Sequence, residues 1–247
     1  MTQSEKAAAF RRMHLEPPIL VLPNAWDVAS AKILAELPGC RALATTSGAV
    51  ARSLGYEDGE NAPAAVMIEA AARIANAVEL PVSADLEAGY GDPVGTARAA
   101  WDGGLVGINF EDSPRDVLLP VDEQTAQIRA IREAVPELVI NARVDVFLNG
   151  SSDVGEAVER ANAYLAAGAD CAYPIFCPTE AIATLAQQIE GPINVLVRPD
   201  TPSPAELGDL GVARLTWGAG LAALAYREAA RVVADALSEQ AARCDRA

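Results

Sequence analysis

Pro81-Val82-Ser83-Ala84-Asp85-Leu86-Glu87-Ala88-Gly89-Tyr90-Gly91-Asp92 is an apolar run that ends abruptly in carboxylates and glycines. The pattern is that of a β-strand running into a polar site. In an extended chain, residues two apart project to one face, so Asp85 and Glu87 are expected to reach the same point. Two like charges aimed together repel, and a divalent cation is the usual way to make that arrangement favourable. A solvated acidic turn is the alternative reading of the stretch taken alone.

Working outward, similar runs recur at Ile19–Leu22, Ala42–Thr45, Val106–Phe110, Leu138–Ala142, Cys171–Pro174, Ile193–Val197 and Ala213–Trp217. With Val82–Asp85 they make eight candidate strands. Alanine-rich stretches of helical spacing separate most of them: Val28–Leu37, Ala62–Val78, Val94–Trp101, Glu123–Val135, Val154–Ala167, Glu180–Ile189 and Gly220–Leu237. Apolar runs without strict alternation are the habit of strands buried on both faces in a parallel sheet. An open doubly wound sheet would give a similar string. Polar residues nevertheless follow the ends of many strands: Asn24 and Asp27, Thr46-Ser47-Gly48, Asp85 and Glu87, Glu111-Asp112, Arg143 and Asp145, Arg198 and Asp200. A (β/α)8 TIM barrel gathers such residues from several strands at one rim, and that fold is expected, with residues 1–247 as one domain. Residues 1–18 are read as a helical cap, with Phe10, Met13 and Leu15 as its apolar contacts and Pro17-Pro18 as its end.

The chain of 247 residues is 51% hydrophobic and carries a formal charge of -15, with no cluster of Lys and Arg. Duplex nucleic acid and anionic membrane both require a basic patch, so neither is an expected partner. No window reaches the length of a membrane span, and Met1 to Pro18 lacks the apolar core of a signal peptide. Cys40, Cys171, Cys177 and Cys244 contain no C-x-x-C pair and no zinc spacing with the lone His14, so reduced thiols in a cytoplasmic protein are expected.

Asp85, Glu87 and Glu111 form a three-carboxylate set, with Asp58 added from the segment after the second strand. Such a set suits Mg2+ or Mn2+, which prefer oxygen ligands and retain waters that a substrate can replace; a salt-bridge network to Arg143 is the alternative. Thr45-Thr46-Ser47-Gly48-Ala49 reads as a small-residue turn whose backbone N–H groups can hold an anion, or as a plain tight turn. Arg143 is a candidate for bidentate binding of a substrate carboxylate, a role compatible with service as an internal counter-ion. No catalytic role is expected of His14, and no phosphate loop or Ser-His-Asp arrangement is present in the sequence.

Six motifs, taken in order, resemble the isocitrate lyase/phosphoenolpyruvate mutase superfamily. They are Pro23-Asn24-Ala25-Trp26-Asp27, Ala44-Thr45-Thr46-Ser47-Gly48, Leu54-Gly55-Tyr56-Glu57-Asp58-Gly59, Ala84-Asp85-Leu86-Glu87-Ala88-Gly89-Tyr90-Gly91, Gly107-Ile108-Asn109-Phe110-Glu111-Asp112 and Ile140-Asn141-Ala142-Arg143. The resemblance runs from about Pro23 to Leu224. It implies a barrel whose last helix is exchanged between subunits of a homodimer or homotetramer. It also implies Mg2+-dependent making or breaking of a C–C or P–C bond beside a carboxylate and a carbonyl. Carried over by position, Ser47, Gly48 and Ala49 bind the substrate carboxylate or phosphonyl group, and Asp85 is the principal metal contact with Asp58, Glu87 and Glu111 around it. Arg143 holds the substrate and stabilises an enolate oxygen, with Asn194 and Thr216 in the wall.

The resemblance is incomplete in two places. Lyases of the superfamily carry a Lys-Lys/Arg-Cys-Gly-His segment after the fourth strand, and the mutase carries a lysine and an asparagine there. Residues Asp112 to Asp122 contain no Cys, Lys, His or Asn. Arg115 replaces only the charge, since a guanidinium does not give up a proton at neutral pH. Glu87 also stands where the characterised enzymes have aspartate. The resulting expectation is a Mg2+-dependent C–C lyase or decarboxylase acting on a small 2-oxo or 2-hydroxy acid through an enolate. Tyr56, a metal-bound water or the 112–121 loop supplies the proton. Chemistry on the P–C bond of phosphonopyruvate and a non-catalytic metabolite-binding barrel are the alternatives.

Overall fold

The computed structural model describes residues 1–244. Eight short strands follow one another: β1 (Leu20–Val21), β2 (Leu43–Ala44), β3 (Val82–Asp85), β4 (Gly107–Glu111), β5 (Val139–Val144), β6 (Cys171–Pro174), β7 (Asn194–Leu196) and β8 (Arg214–Thr216). All pair in parallel, β2 to β6 in one sheet and β1-β8-β7 in another. Single bridges, Asn24 to Ala44 and Ala172 to Ile193, join the two sheets at both seams. The ring is therefore closed, and the expected barrel is the fold.

The helices are α1 (Gln3–Met13), α2 (Val28–Ala35), α3 (Ser47–Ser53), α4 (Ala64–Asn76), α5 (Pro93–Asp102), α6 (Val121–Ala134), α7 (Val154–Ala166), α8 (Ile182–Gln188), α9 (Pro204–Asp209) and α10 (Gly220–Cys244). Two of them, α3 and α9, were not expected from spacing. Thr45-Thr46-Ser47-Gly48-Ala49 reads in the sequence as a small-residue turn after a strand, yet the first turn of α3 is buried and tertiary packing overrides the weak helix propensity of serine and glycine. Short α9 is set by local chemistry: the Ser203 hydroxyl and Glu206 form a capping box, with Pro204 in the first turn.

Outward-facing strand residues such as Ile108, Phe110, Ile140, Ala142, Val195 and Leu215 pack into the main core between barrel and helices. The inner face differs from the aliphatic layers usual in such barrels. Register places Asp85 beside Asn109, Asn109 beside Asn141, and Asn141 beside Cys171. One step higher, Glu111 is beside Arg143 and Arg143 beside Tyr173. On the far wall, Asn194 pairs with Arg214 and Leu196 with Thr216. Because cross-strand partners share a face, the interior carries two polar tiers, a lower one rich in amides and an upper one rich in charge.

Helix α1 closes the N-terminal mouth. The Thr2 hydroxyl and Glu5 carboxylate make a capping box at its start. Phe10 is fully buried with Leu20, Leu22, Ala42, Ala44, Val106 and Val139, and Met13 packs at the edge of this cluster. Gly107 is required beneath it, since a Cβ there would stand 2.9 Å from the Phe10 ring. Leu15, expected as a contact, is exposed; the helix ends at Met13 and the following turn carries Leu15 away from the plug. Arg11 anchors the helix to Asp170 at 2.6 Å. Cys171 and Cys177 are buried free thiols and Cys40 is half-buried, while the Cys244 side chain lies outside what is described. Among the described residues no helix is long and apolar enough to cross a membrane.

Candidate active site

The opposite mouth holds a cavity of about 650 Å3. One side is polar and comes from the ends of β2 to β5: Ser47, Asp58, Asp85, Glu87, Asn109, Glu111 and Arg143. The other is largely apolar and comes from the loops after β5 to β8, with Leu148, Ile175, Phe176, Leu196, Val197 and Trp217.

Asp85 ends β3, and its Oδ2 accepts the Ser47 N–H at 3.0 Å. Its other oxygen, Oδ1, is buried without a hydrogen-bond partner. Glu87 does not converge with it by strand alternation, because the strand stops at Asp85 and Glu87 adopts a left-handed backbone, φ 51°. That turn swings the Glu87 carboxylate into the same cavity. There it accepts the Tyr90 hydroxyl and the Glu60 N–H, both at 2.6 Å. Tyr90 and Glu60 are also left-handed, at φ 55° and 60°, and the Glu60 carboxylate accepts the Tyr90 N–H. Backbone strain of about 1–3 kcal/mol per residue is thus concentrated at one corner of the site.

Burial, and then the charges of Asp85 and Asp58, push Glu87 up to about 7 against the lowering effect of its Tyr90 and Glu60 bonds. Burial pushes Glu111 up to about 9; Arg143 opposes the shift, and Asp145, Asp85 and Glu87 reinforce it. The acids therefore repel one another and resist full ionisation unless positive charge is supplied.

Arg143 lies between two carboxylates. Its Nε and Nη2 hold Asp145 at 2.6 and 2.7 Å, and Nη2 also reaches Glu111 at 2.6 Å. Burial works against the Arg143 charge, but the bonds and charges of Asp145 and then Glu111 outweigh it and raise its pKa. Asp145 is fully buried, accepts the Ser113 hydroxyl, and donates its own N–H to Asp112 at 2.9 Å. Asp112 in turn accepts the Tyr164 hydroxyl at 2.6 Å and Arg160 at 3.3 Å. Arg143 is therefore held in place by a chain of buried groups reaching back to α7, and the counter-ion reading of the sequence is part of the observed geometry.

Several expected residues are placed differently. Ser47 lines the cavity, but its N–H is committed to Asp85. Gly48 and Ala49 do not line it; Gly48 provides close approach, since a Cβ there would stand 2.6 Å from the Asp58 carboxylate. Tyr56 is exposed and outside the cavity lining, because Gly55, φ 85°, turns the chain outward after α3. Asn194 is fully buried beneath the surface with its amide on the Thr216 hydroxyl at 3.2 Å, and Thr216 alone of the two reaches the cavity. On the 112–122 loop, Asp116 reaches it, on consecutive left-handed residues with Arg115 (φ 61° and 53°).

Asn109 and Tyr173 line the cavity without having been singled out. The available signal was spacing: Asn109 precedes Glu111 by two, and inner-face residues recur with that period.

A divalent metal can be tested against this chemistry. The donors are hard oxygens, and one buried oxygen, Asp85 Oδ1, lacks any partner at the centre of the acid set. Among the described residues no three His, Cys, Asp or Glu side chains are grouped closely enough to ligate one ion directly. Mg2+ characteristically takes one or two carboxylates and keeps several waters, so the donor set fits such a metal, with Asp85 as the residue that would hold it.

Residues 10–237 match the family described as phosphoenolpyruvate phosphomutase. An uncharacterised protein of Mycobacterium tuberculosis H37Rv is 39% identical over 236 residues, covering 92% of this chain and 89% of that protein. The 2-methylisocitrate lyase of Bacillus subtilis is 31% identical over 185 residues, covering 70% and 60% respectively. A crystal structure from Burkholderia cenocepacia J2315, provisionally named a phosphonomutase, superposes with a TM-score of 0.88 at 38% identity, covering 93% of this chain and 99% of that one. Lyases, phosphomutases and oxaloacetate decarboxylases all occur among the relatives.

Proposed function

The chain belongs to the phosphoenolpyruvate phosphomutase family, within the isocitrate lyase/phosphoenolpyruvate mutase superfamily of enzymes, and from that premise we propose that it is a divalent-metal-dependent C–C lyase or decarboxylase for a small 2-oxo or 2-hydroxy acid. The observation that carries the reading is the partnerless Asp85 Oδ1, set among acids that repel one another. Asp85 would hold Mg2+ or Mn2+, with Glu87, Glu111 and Asp58 around it. A bound metal would neutralise these acids and polarise a substrate oxygen.

Cleavage of a bond beta to a carbonyl leaves an enolate, and Arg143 stabilises the charge that develops on its oxygen. Asp145 and Glu111 hold the guanidinium before substrate arrives, so little reorganisation accompanies the reaction. Ser47 positions Asp85 through its N–H. Of the expected proton donors, Tyr56 lies outside the cavity, whereas the 112–122 loop, which has no cysteine, lysine or histidine, reaches it through Asp116. The active unit is a homo-oligomer: α10 leaves Leu224, Tyr226, Val232, Val233 and Leu237 exposed, a surface suited to covering by a second copy.

The test is incubation of the protein with Mg2+ and a panel of 2-oxo acids, malate-type acids and phosphonopyruvate. Release of carbon dioxide or of a cleaved 2-oxo acid is expected. A phosphorus NMR signal from P–C cleavage or migration would replace this reading with phosphonopyruvate chemistry, and no turnover of any compound would refute it.

A further inference from the structure

Below the charged tier, Arg214 is a fully buried guanidinium inside the barrel. It makes no salt bridge among the described residues, and its Nε and Nη1 have no partner. Its one side-chain hydrogen bond runs from Nη2 to Asn109 Oδ1 at 3.2 Å. The same oxygen accepts the Asn141 amide at 2.7 Å. A guanidinium has donors only, so Arg214 decides which end of the Asn109 amide faces it. If Asn109 turned over, its NH2 would meet Arg214 donor to donor. Asn141 alone could not impose this choice, because it could turn over as well.

The other end of the amide is thereby assigned. Asn109 lines the cavity beside Asp85 and Glu111, and its Nδ2 is neither bonded within the protein nor among the buried atoms without a partner. Its neutral neighbours are occupied: Asn24 bonds the Thr45 carbonyl and the Trp217 N–H, and Thr216 pairs with Asn194. We propose that Asn109 is a specificity-determining residue whose NH2 group reads an oxygen of the bound acid from the cavity floor, and that Arg214 is the positioning residue that keeps it facing upward. A donor is the useful polarity at this place, because every adjacent acid presents only acceptors when ionised. The identity of the ligand as a carboxylic acid rests on the function proposed above; the orientation of Asn109 does not.

Two measurements separate these claims. In the ligand-free protein, the Asn109 side-chain NH2 signal, identified by its loss in Asn109→Ser, is expected to exchange with deuterated solvent faster than that of Asn141. Equal protection of the two would overturn the assigned orientation. With Mg2+ and oxalate, a planar dicarboxylate, Asn109→Leu is expected to weaken binding by calorimetry about 10- to 100-fold, the range for losing a hydrogen bond to a charged group. Arg214→Met is expected to weaken it severalfold, and Arg214→Lys, still donor-only, to restore most of the loss. Unchanged oxalate affinity in folded Asn109→Leu would overturn the proposal. Failure of the wild type to bind oxalate would instead count against the metal and carboxylate reading of the site, leaving the orientation to be decided by the exchange measurement.

Discussion

The two mouths of the barrel are made of the same eight strands and have opposite chemistry. At the N-terminal mouth, Phe10 fills an apolar socket whose walls are alanine, leucine and valine. At the C-terminal mouth, Asp58, Asp85, Glu87 and Glu111 face one cavity. Of the six non-glycine left-handed residues among the described ones, Glu87, Tyr90, Arg115, Asp116 and Phe176 lie in segments that follow the C-terminal ends of strands, and Glu60 lies in the α3–α4 loop beside Glu87. One end lowers the energy of the fold; the other stores repulsion and strain. That division is expected where binding and chemistry are placed at a strand-end rim on a rigid support, and it implies that substitutions at the two ends should have effects of different kinds.

The largest contrast should come from Asp85→Asn. Turnover with Mg2+ is expected to fall by on the order of 10^3-fold or more, since charge stabilisation at the reacting oxygen depends on it. The melting temperature without metal should stay level or rise, because one of the mutually repelling acids is gone. A large fall in melting temperature would break the contrast, by showing that Asp85 holds the fold together.

Phe10→Ala at the other mouth is expected to remove about 3–5 kcal/mol of stability, the range for truncating a buried aromatic. KM and kcat of the folded protein should change little. Denaturant unfolding alongside steady-state kinetics measures both quantities.

Arg143→Lys tests whether geometry counts beyond charge. An ammonium cannot span Asp145 and Glu111 as the guanidinium does, so a loss of about 10- to 100-fold in kcat/KM is expected. Equal activity would reduce Arg143 to a counter-ion.

A further contrast between the two mouths concerns pH. Glu87 and Glu111 hold protons in the folded chain up to about 7 and about 9, whereas an unfolded glutamate releases its proton near 4.3. Between those values the folded state binds more protons, so stability of the metal-free protein should fall as pH rises from about 4.3 towards 9. Saturating Mg2+ should flatten that slope. A metal-free melting temperature that rises with pH across the window would contradict the burial of these acids.

Much of the acidic rim was legible in the chain because a strand ending in polar residues leaves a local trace. The eight runs, and the placing of Asp85, Glu111 and Arg143 at their ends, needed only that trace. Glu87 lines the cavity for a reason other than the expected one: a left-handed turn brings it in, and strand alternation does not. Tyr56 and Asn194 misled because proximity in sequence to a strand end does not say whether a side chain faces cavity, solvent or the tier below. Asn109 passed unnoticed between more conspicuous neighbours.

The amino-acid sequence by itself determined the parallel barrel, the family resemblance and the rim at which carboxylates gather, since apolar periodicity and strand-end chemistry are local properties. Only the tertiary structure decided which carboxylate oxygen stands without a partner and which way the Asn109 amide faces. Both depend on hydrogen bonds closed across the barrel, between Ser47 and Asp85, and between Asn109 and an arginine 105 residues away. Such partners are set by register and ring closure, which no single strand contains.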